Sequence, residues 1–275
     1  MTPCSVVGEL RKTPRRVANV QLLVSVVHDE EVAPAVAGGA DIIDVKNPRE
    51  GSLGANFPHV IRRVRELTPP AVPVSAAIGD APNLPGMVAL AAAGAATCGV
   101  QYVKVGLLGP REPRDALLML TEVCRAAREQ DPTVRIMATA YADARRIGSF
   151  PPLDLPAVAA EAGADGCMLD TASKSGATLL SELGAAELAE FVARCRGNGL
   201  ICALAGSLRE QDVPRIHMLG PDIIGVRTAA CRGDRLTGRV DRDAVRSLKN
   251  RIAACGSLPS GPSRAARSDG PAVPR

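Results

Sequence analysis

The sequence predicts one α/β domain folded as a closed (β/α)8 TIM barrel with parallel strands. Three observations carry this. Eight short apolar strands alternate with helical segments from residue 21 to residue 253. The strands are apolar on both faces, as in a parallel sheet covered by helices. The 275-residue chain also matches the roughly 250 residues that such a barrel uses. A doubly wound open sheet competes, but no G-x-G-x-x-G follows the first strand and eight regular units fill the chain.

The first strand is QLLVSVV (21–27), and Asp29 caps a helix running to Gly38-Gly39. In the second, residues 41–46, Ile42, Asp44 and Lys46 alternate with Ile43 and Val45, the two-residue period of a strand. It stops at Asn47-Pro48, because proline cannot continue a central ladder, and glycines 51 and 54 make the next segment a loop. VIRRVREL after Pro58 is the next helix. VPVSAAIGD (72–80) is the third strand, followed by an alanine-rich helix over 86–98. QYVKVGLLG (101–109) is the fourth, with a helix over 115–129, and VRIMATAYAD (134–143) the fifth, with a helix near 155–162. DGCMLDTA (165–172) is the sixth, with a helix over 185–196, and GLICALAGS (199–207) the seventh. DIIGVRTAA (222–230) is the eighth, and Asp241 or Asp243 opens a last helix to Ala253. The barrel domain is thus residues 20–255. Residues 1–19 form an arginine-bearing N-terminal extension, and the Gly/Pro/Ser-rich residues 256–275 a disordered tail.

An apolar fraction of 46% with only 2% aromatics means the core is packed from Ala, Val, Leu and Ile. So few aromatics give no platform for stacking nucleobases, and a net charge of +4 with dispersed arginines suggests no nucleic-acid groove, though it suits a small phosphorylated ligand. The eight cysteines show no C-x-x-C and no histidine at metal-ligand spacing, so they read as reduced thiols in apolar surroundings and no metal is expected. No apolar run reaches the roughly 18 residues of a membrane span, and no signal-peptide pattern opens the chain. These features point to a cytoplasmic protein outside the membrane, and leave room for a homo-oligomer.

Of the 33 Lys and Arg residues only five are lysines, at 12, 46, 104, 174 and 249. Where surface charge is needed this chain uses arginine. A lysine kept at the end of an apolar strand is therefore a candidate for what arginine cannot do, which is to lose its proton and attack a carbonyl. A single such lysine reads more simply as ion-paired, but three of them, Lys46, Lys104 and Lys174, fall at strand ends. In a barrel, chemistry sits at the C-terminal ends of the strands, and alternate strands share a layer of inward side chains. Asp44 and Lys46, Lys104, Asp170 and Arg227 lie on strands two, four, six and eight, while Lys174 comes after strand six. Together they predict a cationic pocket with carboxylates and amines close enough to shift one another's pKa. The small loops after strands seven and eight, around Gly206, Ser207, Gly225, Arg227 and Thr228, offer backbone N–H groups for a phosphate.

The segments DIIDVKNPREGSLGANFP, YVKVGLLG, YADARRIG, MLDTASKSG, CALAGSL and GVRTAAC resemble the (5-formylfuran-3-yl)methyl phosphate synthases of methanofuran biosynthesis, over about residues 21–252. The resemblance implies a TIM-barrel lyase that condenses two molecules of glyceraldehyde 3-phosphate, with loss of one phosphate and two waters. It implies that Lys46 is the Schiff-base lysine and Lys104 the proton acceptor, with Asp44, Asp170 and Lys174 as further active-site residues and no cofactor. One departure is VVHDEE (26–31), where the family expectation is a proline-containing loop; His28 is read there as a loop residue. Rival readings are another Schiff-base sugar-phosphate aldolase, of the deoxyribose-phosphate aldolase kind, and a catalytically idle barrel that binds a sugar phosphate.

Residues 256–275 bury too little apolar surface to offset the entropy of ordering them. A truncation after Cys255 therefore keeps both activity and melting temperature; a fall of many degrees would show that the tail packs on the barrel.

Overall fold

A computed structural model describes residues 19–174 and 176–256. Eight strands close into one barrel in chain order, all neighbours parallel, with the eighth paired to the first. They are β1 (Gln21–Val26), β2 (Ile42–Val45), β3 (Val74–Asp80), β4 (Tyr102–Gly106), β5 (Arg135–Tyr141), β6 (Gly166–Asp170), β7 (Ile201–Leu204) and β8 (Ile223–Val226). Around them run α1 (Val32–Gly38), α2 (Pro58–Leu67), α3 (Pro85–Ala96), α4 (Pro113–Gln130), α5 (Ala144–Ile147), α6 (Leu155–Glu161), α7 (Leu179–Glu182), α8 (Ala185–Gly197), α9 (Val213–Leu219) and α10 (Arg242–Gly256). The (β/α)8 barrel expected from the sequence is the fold observed.

Local chemistry sets the helix ends. Proline opens α2, α3 and α4, where its missing N–H and fixed φ cost nothing. Asp241 caps α10, accepting the N–H groups of Asp243 at 3.1 Å and Ala244 at 3.0 Å. His28, exposed, heads a 3-10 turn over Asp29–Glu31 that leads into α1, so the cap of this segment lies one residue before the Asp29 expected from the sequence.

Three features were not legible in the sequence. Helices α5 and α7, four residues each, are too short for a helical period to emerge from their flanking loops, and the seven-residue α9 was not foreseen either. A two-stranded hairpin, β9 (Cys231–Arg232) against β10 (Arg239–Val240), comes after β8 and carries only two residues a side. The barrel strands are also shorter than their apolar runs. Single bonds such as Leu107 N–H to Thr139 O and Ala142 N–H to Asp170 O extend the ladder briefly, then the chains diverge into the mouth loops.

Side chains pointing outward from the strands pack on the helices as the main core, while Leu23, Ile42, Tyr102, Met137, Met168, Ala203, Ala205 and Ile223 fill the barrel's interior. Along the even strands the inward positions change from apolar to ionic toward the C-terminal end. Ile42 gives way to Asp44 and Lys46, Tyr102 to Lys104, Met168 to Asp170, and Ile223 to Arg227. Residues 1–18 and 257–275 lie outside the described residues, and with them the expected extension and tail apart from Asn19 and from Gly256, which closes α10 instead of opening the tail. Among those described, no helix is long and apolar enough to cross a membrane.

Gly106, at the end of β4, leaves the place that the buried Tyr141 side chain of β5 occupies: a Cβ there would overlap Tyr141 Oη and lie 2.8 Å from Leu53 Cδ1. Gly106→Ala should therefore cost about 1–3 kcal/mol of overpacking strain, read as a lower denaturant midpoint at unchanged slope.

Candidate active site

Lys46 is the residue immediately after β2. Its N–H still donates to Val26 O at 3.0 Å, so it keeps the inward alternation of the strand; Asn47 N–H then donates to Gly54 O at 2.8 Å and folds 47–54 into a closed loop. Lys46, Lys104, Asp170, Lys174 and Arg227 all line one cavity of about 450 Å³, open space at its mouth included. Gly206, Ser207, Gly225 and Thr228 line it as well. Asp44 does not; it lies beneath, fully buried.

The three lysines are held differently. Lys104 Nζ donates to Asp44 Oδ2 at 2.7 Å, and Asp44 also accepts the hydroxyls of Ser25 and Ser75, each at 2.9 Å. Lys174 Nζ donates to Asp170 Oδ1 at 2.7 Å and to Thr171 Oγ1 at 3.0 Å. Lys46 is only 5% exposed, and its amine has no hydrogen-bond acceptor among the described residues. Burial and the like charges of Lys104 and Lys174 depress its pKa to about 8, against the opposing pull of Asp170 and Asp44. Burial pushes Asp170 up, but Lys174 and Lys46 outweigh it and leave that carboxyl at about 2. Asp44 is likewise lowered, with burial opposed by Lys104 and Lys46. The pocket thus holds two carboxylates kept ionised, each paired with a lysine, and a third lysine, Lys46, whose amine is brought down to about 8.

Three more carboxylates hold the loops that frame it. Asp80, ending β3, accepts the N–H groups of Ser52 at 2.6 Å and Leu53 at 3.1 Å, together with the hydroxyl of Tyr141. Ser52 Oγ in turn donates to Thr171 O at 2.8 Å, joining the loops after β2 and β6. Asp143 accepts Ala172 N–H at 2.8 Å and Ser173 N–H at 2.9 Å, fixing the segment that carries Lys174. Glu31 accepts both Nη groups of Arg227, at 2.8 and 3.0 Å, and the N–H groups of Val27 at 2.6 Å and Val240 at 3.1 Å. Sequence reasoning missed these three acids, although Asp143 stands in the YADARRIG segment and Glu31 lies three residues after the turn-opening His28. Nothing local marked them.

Arg227 is accordingly less free than the sequence suggested. Besides Glu31, its Nη groups donate to Ser25 O and Gly238 O, both at 3.0 Å; only the buried Nε lacks a partner among the described residues. Its neighbours in the loops are better placed for an anion. Gly206 (φ 112) and Ser207 (φ 52) are consecutive residues of positive φ, and Ser207 is the only non-glycine in that region among the described residues. The strain of a serine in that region is of the kind that collects at binding sites. The N–H groups of Gly206, Ser207, Leu208 and Thr228 bond to no acceptor among the described residues. A second cation at the mouth was not foreseen: Arg235, in the turn of the β9–β10 hairpin, lines the cavity and donates to Gly51 O at 2.8 Å.

A parallel eight-stranded barrel whose C-terminal mouth gathers lysines, carboxylates and an anion-binding loop has the architecture of the barrel enzymes, and the likeness to known proteins agrees. Residues 22–249 match the family model described as 4-HFC-P synthase. Proteins named (5-formylfuran-3-yl)methyl phosphate synthase are similar throughout: that of Methanothermobacter thermautotrophicus is 51% identical over 229 residues, 83% of this chain and 97% of that one. That of Methanopyrus kandleri is 50% identical over 234 residues, covering 85% and 99%. The chain belongs to the 4-HFC-P synthase family, and it is an enzyme. Solved barrels share the fold at low identity. The 3-hexulose-6-phosphate synthase of Salmonella typhimurium has TM-score 0.61 at 18% identity, covering 86% of this chain and all 100% of that one. Phosphoribosyl anthranilate isomerase of Thermus thermophilus has TM-score 0.55 at 17% identity, covering 86% and 99%.

The Lys46 amine should lose its proton with a midpoint at about 8 instead of the ordinary 10.5, ammonium below and free amine above. NMR titration of protein whose lysines are reductively 13C-methylated reads this directly. A Lys46 midpoint above 10 would show that burial does not act on it.

Proposed function

We propose that the protein is a lyase that condenses two molecules of glyceraldehyde 3-phosphate through a Schiff base on Lys46. The product is (5-formylfuran-3-yl)methyl phosphate, the furan phosphate of methanofuran biosynthesis. The observation that carries the assignment is the contrast among the lysines: Lys104 and Lys174 are ion-paired at 2.7 Å, whereas the Lys46 amine has no partner among the described residues, lines the cavity and titrates at about 8. Membership of the 4-HFC-P synthase family supports the same reading.

The free amine of Lys46 attacks the aldehyde carbon of the first triose; the carbinolamine loses water to give an iminium. Ionised Asp170 stabilises that cation. Lys104 gives its proton to the carbinolamine hydroxyl as that group leaves as water, and the amine so formed takes up the proton of the carbon adjacent to the iminium. Asp44 acts through Lys104, holding its amine in place at 2.7 Å. The enamine then expels phosphate from the neighbouring carbon or attacks the second aldehyde. Ring closure and hydrolysis of the imine release the furan and regenerate Lys46. Two trioses become one furan phosphate, one inorganic phosphate and two waters, with no net oxidation or reduction. The phosphate of the first triose rests on the N–H groups of the Gly206–Ser207 and Thr228 loops, with Arg227 Nε as a further donor, and Gly225 keeps that corner of the cavity free of a side chain.

Lys46→Arg and Lys104→Arg separate the roles, because both keep the positive charge. Lys46→Arg should abolish turnover and the borohydride-trapped adduct. Lys104→Arg should lower turnover by roughly 10²–10⁴-fold, as for loss of a general acid–base group, and keep an adduct at Lys46 visible by mass spectrometry. An adduct that survives Lys46→Arg and vanishes in Lys104→Arg reverses the assignment. Glyceraldehyde 3-phosphate that gives no inorganic phosphate and a reversible aldol product points instead to an ordinary aldolase.

A further inference from the structure

Beyond the Lys46 cavity the mouth continues into an outer chamber of about 960 Å³ on the same open basis, more than twice the inner volume. The two share Lys174, Ser207, Leu208, Thr228 and Arg235 along their common boundary. Three cationic side chains line the outer chamber, Lys174, Arg209 and Arg235, against two acids, Glu210 and Asp234. Both acids are engaged elsewhere: Glu210 accepts Ser247 Oγ at 2.9 Å, and Asp234 accepts the N–H groups of Leu236 at 2.7 Å and Thr237 at 2.8 Å within its own turn. The chamber therefore suits a dianion.

The cations differ in what they have left to give. Lys174 spends two donors on Asp170 and Thr171, and Arg209 is exposed. Arg235 is half-buried and spends a single N–H on Gly51 O, leaving most of its planar fork for a ligand. Its carrier is fixed in place. Arg227 Nη2 donates to Gly238 O at 3.0 Å and Val240 N–H to Glu31 at 3.1 Å, so the hairpin is tied to the barrel at its far strand. Arg235 thus stands, preorganised, on the boundary between the Lys46 cavity and the chamber.

We propose that the outer chamber is a second triose-phosphate subsite and that Arg235 is its phosphate clamp. Resting on the condensation assigned to Lys46, this gives the second aldehyde its approach: with the first triose bound covalently in the inner cavity, the enamine carbon is reached from the chamber that Arg235 guards. Gripping the phosphate there sets the aldehyde carbon against the enamine, the use of remote binding energy for orientation. The bond formed joins the enamine carbon to the second aldehyde carbon; the enamine nitrogen returns to the iminium, and the aldehyde oxygen takes up the proton that Lys104 had drawn from the enamine carbon.

The test is to incubate glyceraldehyde 3-phosphate with wild type, Arg235→Ala and Arg235→Lys, reduce with borohydride, and weigh the adducts on Lys46. Wild type should give both a one-triose and a six-carbon adduct. Arg235→Ala should keep the one-triose adduct at its wild-type yield, which also shows that the variant is folded. Its six-carbon adduct and free furan should fall at least about tenfold, the value of a charged hydrogen bond. Arg235→Lys should recover part of that loss. A wild-type ratio of the two adducts in Arg235→Ala overturns the proposal. So does loss of the one-triose adduct from Arg235→Lys at unchanged melting temperature, since the arginine would then serve the first subsite. Absence of any triose adduct from wild type is a different result, and overturns the Schiff-base reading itself.

Discussion

The buried ion pair between Asp44 and Lys104 organises the mouth of this barrel. Both groups are almost completely removed from water, 0% and 2% exposed, a cost that only close pairing and full hydrogen bonding offset. Ser25 and Ser75, on the strands flanking β2, supply the remaining donors to Asp44, so the pair is built by three adjacent strands and reached by a fourth. Its consequence is electrostatic. Among the five ionisable groups clustered at this point, Lys104 cancels Asp44 and Lys174 cancels Asp170, which leaves Lys46 as the surplus cation. A buried surplus charge is relieved by releasing a proton, and the depression of Lys46 to about 8 is that release in progress. The low pKa of Lys46 is thus set first by burial, helped by Lys104 and Lys174 and held back by Asp170 and Asp44.

Such a cluster functions only if the loops carrying it stay in place, and carboxylates again do the holding. Asp80 grips the loop after β2, Asp143 the loop after β6, and Glu31 ties β1, Arg227 and the hairpin together. Each of these acids accepts several N–H groups at once, the strong, directional use of a carboxylate. None of the three lines the inner cavity. The mouth is a double shell: an inner ring of amines and acids that faces the ligand, and an outer ring of acids that fixes backbone.

The sequence disclosed the inner ring better than the outer. Strand alternation carried Asp44 and Lys46 to one face, and the same parity on β4, β6 and β8 brought Lys104, Asp170 and Arg227 to one cavity, because a parallel barrel turns equal parity into a common layer. The outer ring depends on partners remote in sequence. Glu31 meets Arg227 across 196 positions and Ser52 meets Thr171 across 119, and no local period announces either. Arg227 shows the resulting error of emphasis: its place at the cavity was legible, but its commitment to Glu31 was not. Arg235 was hidden for another reason, since its hairpin is only two residues a side and looks like any polar loop.

Lysine scarcity, which first singled out Lys46, also meets a counterexample that sharpens it. Lys249 lies on α10, far from the mouth, where its amine donates to Asp41 at 2.6 and 2.7 Å while the same carboxylate accepts Leu22 N–H at 2.7 Å. This is an ordinary structural ion pair of a kind arginine makes elsewhere in the chain, as in Arg128 with Asp165 at 2.8 Å. Rarity alone therefore does not mark a chemical lysine. What separates Lys46, Lys104 and Lys174 from Lys249 is that all three line one cavity inside the barrel mouth, Lys104 from the middle of β4 and the other two from beyond the ends of β2 and β6. There a lysine differs from an arginine in what it can do, because a guanidinium stays protonated at any pH the fold survives, whereas the buried Lys46 amine is brought down to about 8.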